Sequence, residues 1–411
     1  MLERTPGLDS IVRFEGEETL LELVEYVAKP EQWAAIRGLS FRGAIGITAN
    51  PPRALIADLD TLPFPIRDAT SRHLGDPHFF VVTTRGCPFT CTFCSIPAFY
   101  RAAPGLSWRA RSIDNVISEL KYLTTEWGAK TISFLDDEFL VGRNGKKRAI
   151  ELATEMQRRG LDLTWAFECR ADDVDAELFS RLKAGGLRHV FVGVESGVQR
   201  VLDTFDKRTT VEQNRAAIKT IRSLGLSLAT GFIMFDPFST TAELRENVRF
   251  LDEMGIGSYK AVANKVLVYA GTRLEQDLDR AGRLLRDGLA LGYEFHAPGV
   301  ALAYRLATRC LEPTHRVDIE RRRMEFSLDN ATVNRPAVEQ LRSRLSAIER
   351  ETNAALVGTM LDIIAFAEAH DGADESTLVA FEHELRDQVS AGSAIWLKML
   401  TGVKNDLAPT R

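Results

Sequence analysis

Cysteine is scarce in this chain of 411 residues, five in all, and their uneven spacing excludes the disulfide framework of a small secreted domain. An excess of basic charge is also missing: 52 lysines and arginines stand against 57 aspartates and glutamates, a formal net charge of -5. That balance leaves no electrostatic footprint for DNA or RNA, whose binders present a cationic face. No apolar run approaches the roughly 20 residues that span a bilayer, and Met1 to Ser10 lacks the basic and apolar regions of a leader peptide. These absences point to a cytoplasmic protein with neither a membrane nor a nucleic acid as partner. There is no Walker loop, H-E-x-x-H helix or G-x-S-x-G elbow. The seven histidines do not cluster at metal-ligand spacing. No internal repeat or low-complexity tract stands out. What is present is the composition of an ordinary globular chain, 45% hydrophobic and 27% charged, long enough to bury a large core.

From residue 78 onward short β-rich runs alternate with amphipathic segments. Runs 79–84, 130–135, 163–169, 189–194, 228–235 and 259–268 read as strands, with helices near 113–126, 144–159, 175–184, 211–224 and 241–254. Phe79-Phe80-Val81-Val82 and the stretch His189 to Val194 are near-continuous apolar runs, as strands buried on both faces are. Six βα units fall short of a closed eight-unit barrel, so the expected fold is α/β, an open (β/α)6 partial TIM barrel over 78–275. Before it, 1–77 reads as a short α/β remnant: a helix at about 17–28, a hairpin over Leu39 to Ile47 and a linker punctuated by Pro51-Pro52 and Pro63-Phe64-Pro65. After it, 276–411 reads as a C-terminal helical domain. Val338, Leu341, Leu345, Ile348, Leu356, Met360 and Ile363 form one apolar stripe there, and Leu378, Phe381, Leu385 and Val389 a second. The stripes suit a helical cap on the barrel or the seam of a homodimer.

Three of the five cysteines fall within eight residues, Cys87-Pro88-Phe89-Thr90-Cys91-Thr92-Phe93-Cys94, directly after the first strand of the barrel. Structural zinc takes four protein ligands, whereas this loop offers three thiolates. Three cysteines can hold three irons of a [4Fe–4S] cluster, a soft-ligand site. A zinc scaffold that borrows a fourth ligand from afar is the competing reading. In open parallel sheets chemistry gathers at the carboxyl ends of strands, and several residues wait there. Asp136, Asp137 and Glu138 end the second strand. Cys169 and Arg170, the latter in Arg170-Ala171-Asp172, end the third. Glu195-Ser196-Gly197 ends the fourth and Asp236-Pro237 the fifth, while Tyr259, Lys260, Asn264 and Tyr269 lie on or beside the sixth. The acids also have plain duties as helix caps, and Cys169 and Cys310 suit burial as small hydrophobes.

The C-x-x-x-C-x-x-C spacing, with Phe93 before its last cysteine, resembles the signature of the radical S-adenosylmethionine (radical SAM) superfamily. That resemblance implies that Cys87, Cys91 and Cys94 hold a [4Fe–4S] cluster whose fourth iron binds S-adenosyl-L-methionine. It implies that Asp136 and Asp137 meet the SAM ammonium, that Glu195 and Ser196 meet the ribose, and that Arg170 either pairs with the SAM carboxylate or braces Asp172. The implied reaction is one-electron cleavage of SAM to methionine and a 5′-deoxyadenosyl radical that takes hydrogen from a small-molecule substrate, fed by an external one-electron donor. Ile11 to Glu18 and Asp58 to Pro63 resemble the junction after the cobalamin domain of the B12-dependent branch, yet no D-x-H-x-x-G motif occurs. By that likeness the leading expectation is a diol dehydratase acting on an aminoglycoside sugar, with Asp236, Tyr269 and Cys169 as catalytic candidates and Asp236 and Glu294 as amino-sugar ligands. The alternatives are a methylase relative that takes cobalamin from elsewhere and a radical epimerase or dehydrogenase.

Overall fold

In the computed structural model, which describes residues 1–67, 78–329, 335–370 and 374–407, Ser10–Val12 (β1), Leu39–Gly43 (β2) and Gly46–Ala49 (β3) form an antiparallel sheet. Ser10 pairs with Phe41 and Phe41 with Thr48. The hairpin and the helix Glu17–Glu25 match the expectation. β1 does not figure in it, because three residues are too few to show alternation. Ile36, Leu39 and Phe41 make the small core beneath, packed by Val12, Leu23, Tyr26 and Trp33. The last stretch of the expected linker, 68–77, lies outside the described residues.

The chain gathers into two units that interleave in sequence: unit 1 is Met1–Val190, Phe205–Lys207 and Leu267–Gly292, and unit 2 is Phe191–Thr204, Arg208–Val266 and Tyr293–Arg411. In unit 1, His78–Val81 (β4), Thr131–Phe134 (β7) and Thr164–Arg170 (β8) run parallel, His78 opposite Thr131 and Ile132 opposite Trp165. Between β4 and β7 a short antiparallel pair, Thr84–Arg85 (β5) and Arg109–Ala110 (β6), carries the chain out and back. β8 is flanked in turn by the start of Leu187–Glu195 (β9). Helices Ile113–Trp127, Gly142–Arg158 and Ala176–Ala184 follow β6, β7 and β8, within two residues of the ranges read from the apolar periodicity. Phe134, Phe139, Trp165, Phe167 and Phe179, each at most 2% exposed, stack through the core at centroid separations of 4.7 to 5.8 Å. Burying one such side chain is worth about 1.5–3 kcal/mol, so this aromatic column fixes the sheet against its helices.

In unit 2 the end of β9 pairs with Ser227–Phe232 (β10). Helices Val211–Ser223 and Thr241–Met254 each open on a capping box, Thr210 with Gln213 and Thr240 with Glu243. The expected sixth strand does not form. Tyr259–Ala263 is a helix, started by the Ser258 hydroxyl, which accepts from the Ala261 N–H, and by Asp318, which accepts from the Tyr259 N–H at 2.7 Å. Of that strand only a parallel bridge between Phe235 and Lys265 remains. The region after 276 is not wholly helical either, since Leu284–Asp287 and Ala290–Tyr293 pair as a hairpin. Its signal was in the sequence, an Asp287-Gly288 step with Gly288 at φ +57°. Beyond it, helices Pro313–Asp329, Arg335–Ala369 and Glu375–Leu407 share one core that includes Val317, Leu341, Leu345, Ile348, Leu400 and Val403. Both apolar stripes are thus largely buried within the chain. Helix Arg335–Ala369 is apolar and long enough to cross a membrane by length and composition, and its Met360, Ile363, Ile364 and Ala367 are fully buried in unit 2.

Candidate active site

The cysteine loop leaves the sheet at the carboxyl end of β4 and is held from the backbone outward. Asp136, just past β7 and 3% exposed, accepts from the Thr83 N–H, the Thr83 hydroxyl and, at 3.0 Å, the Thr84 N–H. Asp137 accepts from the Gly86 N–H at 2.7 Å. Gly86 sits at φ +87°, where an added Cβ would lie 1.8 Å from the Ser107 carbonyl oxygen, so no other residue fits before Cys87. On its far side the loop is tied to later segments of unit 1. The Thr92 N–H donates to the Phe205 carbonyl at 2.9 Å, the Thr92 carbonyl accepts from the Leu274 N–H at 2.9 Å, and the Thr90 hydroxyl donates to Asp206. Phe93 packs edge-on against Phe205 at 4.9 Å. Arg170, 4% exposed, lies 3.9 Å over the Phe89 ring and donates to Asp172 at 2.9 Å and to the Lys207 carbonyl.

Within this frame Cys87, Cys91 and Cys94 are all half-buried and unoxidised. Cys87 and Cys94 each feel the charge of Cys91. Burial pushes the Cys87 thiol up to about 12 and the Cys94 thiol upward too, so thiolates there need a strong cationic partner. Among the described residues no three His, Cys, Asp or Glu side chains converge as ligands of one ion. The zinc reading needs four ligands on one tetrahedron, and the loop itself carries three cysteines.

Around the loop stand groups that sequence reasoning undervalued. Glu138 is 4% exposed and accepts from the Leu140 N–H at 3.2 Å. Its carboxyl is pushed up to about 7 by burial and by the nearby charge of Asp173. Lys207, 6% exposed, acts electrostatically on Cys94, Glu138 and Cys169. It lies in a strained turn, with Asp206 at φ +47° and Arg208 at φ +56°. Nothing in the apolar pattern marks Lys207; its neighbours reach it only through the fold.

Several expected ligands have other work. Asp136 accepts from Thr83 and Thr84 and so braces the cysteine loop, and Arg170 donates to Asp172. Asp137 is the more open of the acid pair. Cys169 is 5% exposed, its thiol raised well above the ordinary range by burial, the behaviour of a packing residue. Tyr269 is 46% exposed.

In unit 2, Glu195 ends β9 at φ +62°, a left-handed backbone that non-glycine residues avoid, and its carboxylate lies near Gly231. Ser196 is fully buried: its hydroxyl donates to Asn247 at 2.9 Å and accepts from the Val198 N–H at 3.1 Å. These two bonds lock the turn. Gly197 is required for packing, because a Cβ there would meet Phe250 at 2.4 Å. Asp236, 2% exposed, accepts from the Phe238 N–H, the Ser239 hydroxyl and Arg200, contacts that brace its turn. Tyr259 donates to the Thr308 carbonyl and Asn264 to the Phe232 carbonyl, while Lys260 and Glu294 are exposed.

Comparison with known proteins bears on the same region. Residues 81–251 match the radical SAM superfamily. An uncharacterized methyltransferase of Pyrococcus horikoshii is 35% identical over 277 residues, 66% of this chain and 58% of that protein. The anaerobic magnesium-protoporphyrin IX monomethyl ester cyclase of Cereibacter sphaeroides is 33% identical over 261 residues, 61% of this chain and 41% of the cyclase. Among solved structures, the cobalamin-dependent S-adenosylmethionine radical enzyme OxsB with aqua-cobalamin bound is similar in fold, with a TM-score of 0.72 at 19% identity over 99% of this chain and 65% of OxsB. The chain thus spans roughly half the length of the curated relatives it matches. The cofactors of that superfamily, a [4Fe–4S] cluster and SAM, fit what the loop offers: three half-buried cysteines carried on one braced turn.

Proposed function

Residues 81–251 being a radical SAM domain, we propose that this chain is a radical SAM enzyme acting on a small-molecule substrate, and that its reaction is a methyl transfer and not the dehydration of an amino-sugar diol. The braced loop with three half-buried thiols supports the first half of that reading. When bound, the cluster and SAM supply one-electron cleavage of SAM, and an external one-electron donor is required. Everything else falls to the chain. Asp136, Asp137 and Arg170 hold the loop that carries the three cysteines, and Glu138 and Lys207 set the local charge.

The second half rests on two supports. The first is the methyltransferase relative from Pyrococcus horikoshii. The second is that the acids assigned to an amino sugar do not suit it, since Asp236 is committed to Arg200 and its own turn and Glu294 is exposed. The sequence holds no D-x-H-x-x-G run, so cobalamin, where the reaction uses it, comes from another domain or polypeptide. The test is anaerobic reconstitution with iron and sulfide, then SAM and reductant with and without added cobalamin, followed by mass spectrometry. Iron bound to the chain and SAM consumed support the reading. S-adenosylhomocysteine supports methyl transfer, and a colourless zinc protein that leaves SAM intact refutes the assignment.

A further inference from the structure

Lys265 is placed in unit 2 by the bridge to Phe235, by the Phe235 N–H donating to the Asn264 carbonyl at 3.1 Å, and by the Val266 N–H donating to the Phe235 carbonyl at 2.9 Å. This pins it beside the chain that continues from the carboxyl end of β10, the side on which open parallel sheets collect ligands. Its Nζ lies 5.1 Å from the centroid of Tyr293 and 5.0 Å from that of Tyr304. Phe295 closes the box, 5.2 Å from Tyr293 and 5.4 Å from Tyr304, and Phe235 forms its base at 5.3 Å from Tyr304. The Tyr293 hydroxyl donates to the Phe235 carbonyl at 3.4 Å, which fixes that wall.

A half-buried ammonium is normally matched by a carboxylate. Lys265 has none among the described residues, and only burial perturbs its amine, in the downward direction. The ring faces hold the cation, but they leave free the three N–H donors of an ammonium. Aromatic walls with an unspent point charge between them make a receptor for an anion carried on an otherwise apolar or aromatic body.

We propose that Lys265, held between Tyr293 and Tyr304, binds an anionic group of the substrate, a phosphate or a carboxylate. This rests on the reading that the chain acts on a small molecule, and it narrows that molecule to an acid. Neither the cysteine loop nor any of the sequence-derived candidates includes this lysine.

The experiment uses the full chain and amine footprinting. Acetylation of lysines by an N-hydroxysuccinimide ester is followed by mass spectrometry in the presence of inorganic phosphate, acetate or chloride at matched ionic strength. Exposed Lys121 and Lys219 serve as references. Acetylation of Lys265 should slow about threefold when phosphate or acetate stands at about twice its dissociation constant, with the references and the chloride arm unchanged. Protection by phosphate alone assigns a phosphate, and protection by acetate alone a carboxylate. Y304A should abolish the protection while leaving the references unmoved. Equal labelling in all three salts overturns the inference. Reductive cleavage of SAM by the same preparation is scored separately, so an enzyme that cleaves SAM while Lys265 stays unprotected refutes the anion site alone, and one that neither binds iron nor cleaves SAM refutes the parent reading.

Discussion

Glu138→Gln removes one buried charge beside the cysteine loop, and its consequence can be worked out before any measurement. The Glu138 carboxyl rises from 4.5 to about 7 because burial and Asp173 both disfavour the anion. A group raised in the fold gives stability that is complete below its unfolded value and is lost as pH climbs through the folded one. Across the whole rise the loss amounts to about 3 kcal/mol, most of it falling between about pH 5 and about pH 8. Glutamine keeps the acceptor for the Leu140 N–H but has no proton to lose, so its stability carries no such slope. The apoprotein of each variant is melted at both pH values with tryptophan emission as the probe, since Trp165 is fully buried in the same unit. Relative to wild type, the variant should gain about 3 °C on going from the lower to the higher pH. A difference in melting temperature that does not change with pH refutes the claim that this carboxyl is held neutral by its surroundings.

Other consequences follow the same logic. Serine at Cys87, Cys91 or Cys94 should abolish iron binding on reconstitution, whereas Cys169→Ala should retain it; iron and sulfide analysis decides. Ser196→Ala strands the buried Val198 N–H and costs about 1–3 kcal/mol, seen as a lower melting temperature, and a loss of SAM affinity at unchanged stability would contradict the locking role. Glu195→Gly relieves the left-handed backbone and should raise stability by about 1 kcal/mol, read by denaturant titration. Arg109→Met breaks a buried pair in which Arg109 donates to both oxygens of Glu15, with an expected cost of about 3–5 kcal/mol, measured the same way.

The helices were legible because their apolar positions repeat at helical spacing. The cysteine loop was legible because three of the five cysteines fall within eight residues. Two kinds of error had physical causes. Tyr259-Lys260-Ala261-Val262-Ala263 is an apolar run that suits strand or helix, and the choice was made by Ser258 and by Asp318, which sits 59 residues away. The acids at strand ends were legible as acids but not as braces, since the donors that fill Asp136 lie 52 and 53 residues earlier in the chain. Glu138 and Lys207 gained importance only from burial, which no local pattern reports. Lys265 escaped notice because its partners are rings contributed by Tyr293 and Tyr304, beyond the barrel pattern altogether.

The ties on Thr92 impose a timetable on biosynthesis. One comes from Phe205 and the other from Leu274, so a ribosome must have released well over half the polypeptide before the turn bearing Cys87, Cys91 and Cys94 can close. Delivery of metal during translation would meet an open, floppy ribbon of thiols, and maturation factors gain their proper target only late. Shortened versions ending before residue 267 should therefore emerge unable to retain iron, even though every sulfur donor is present.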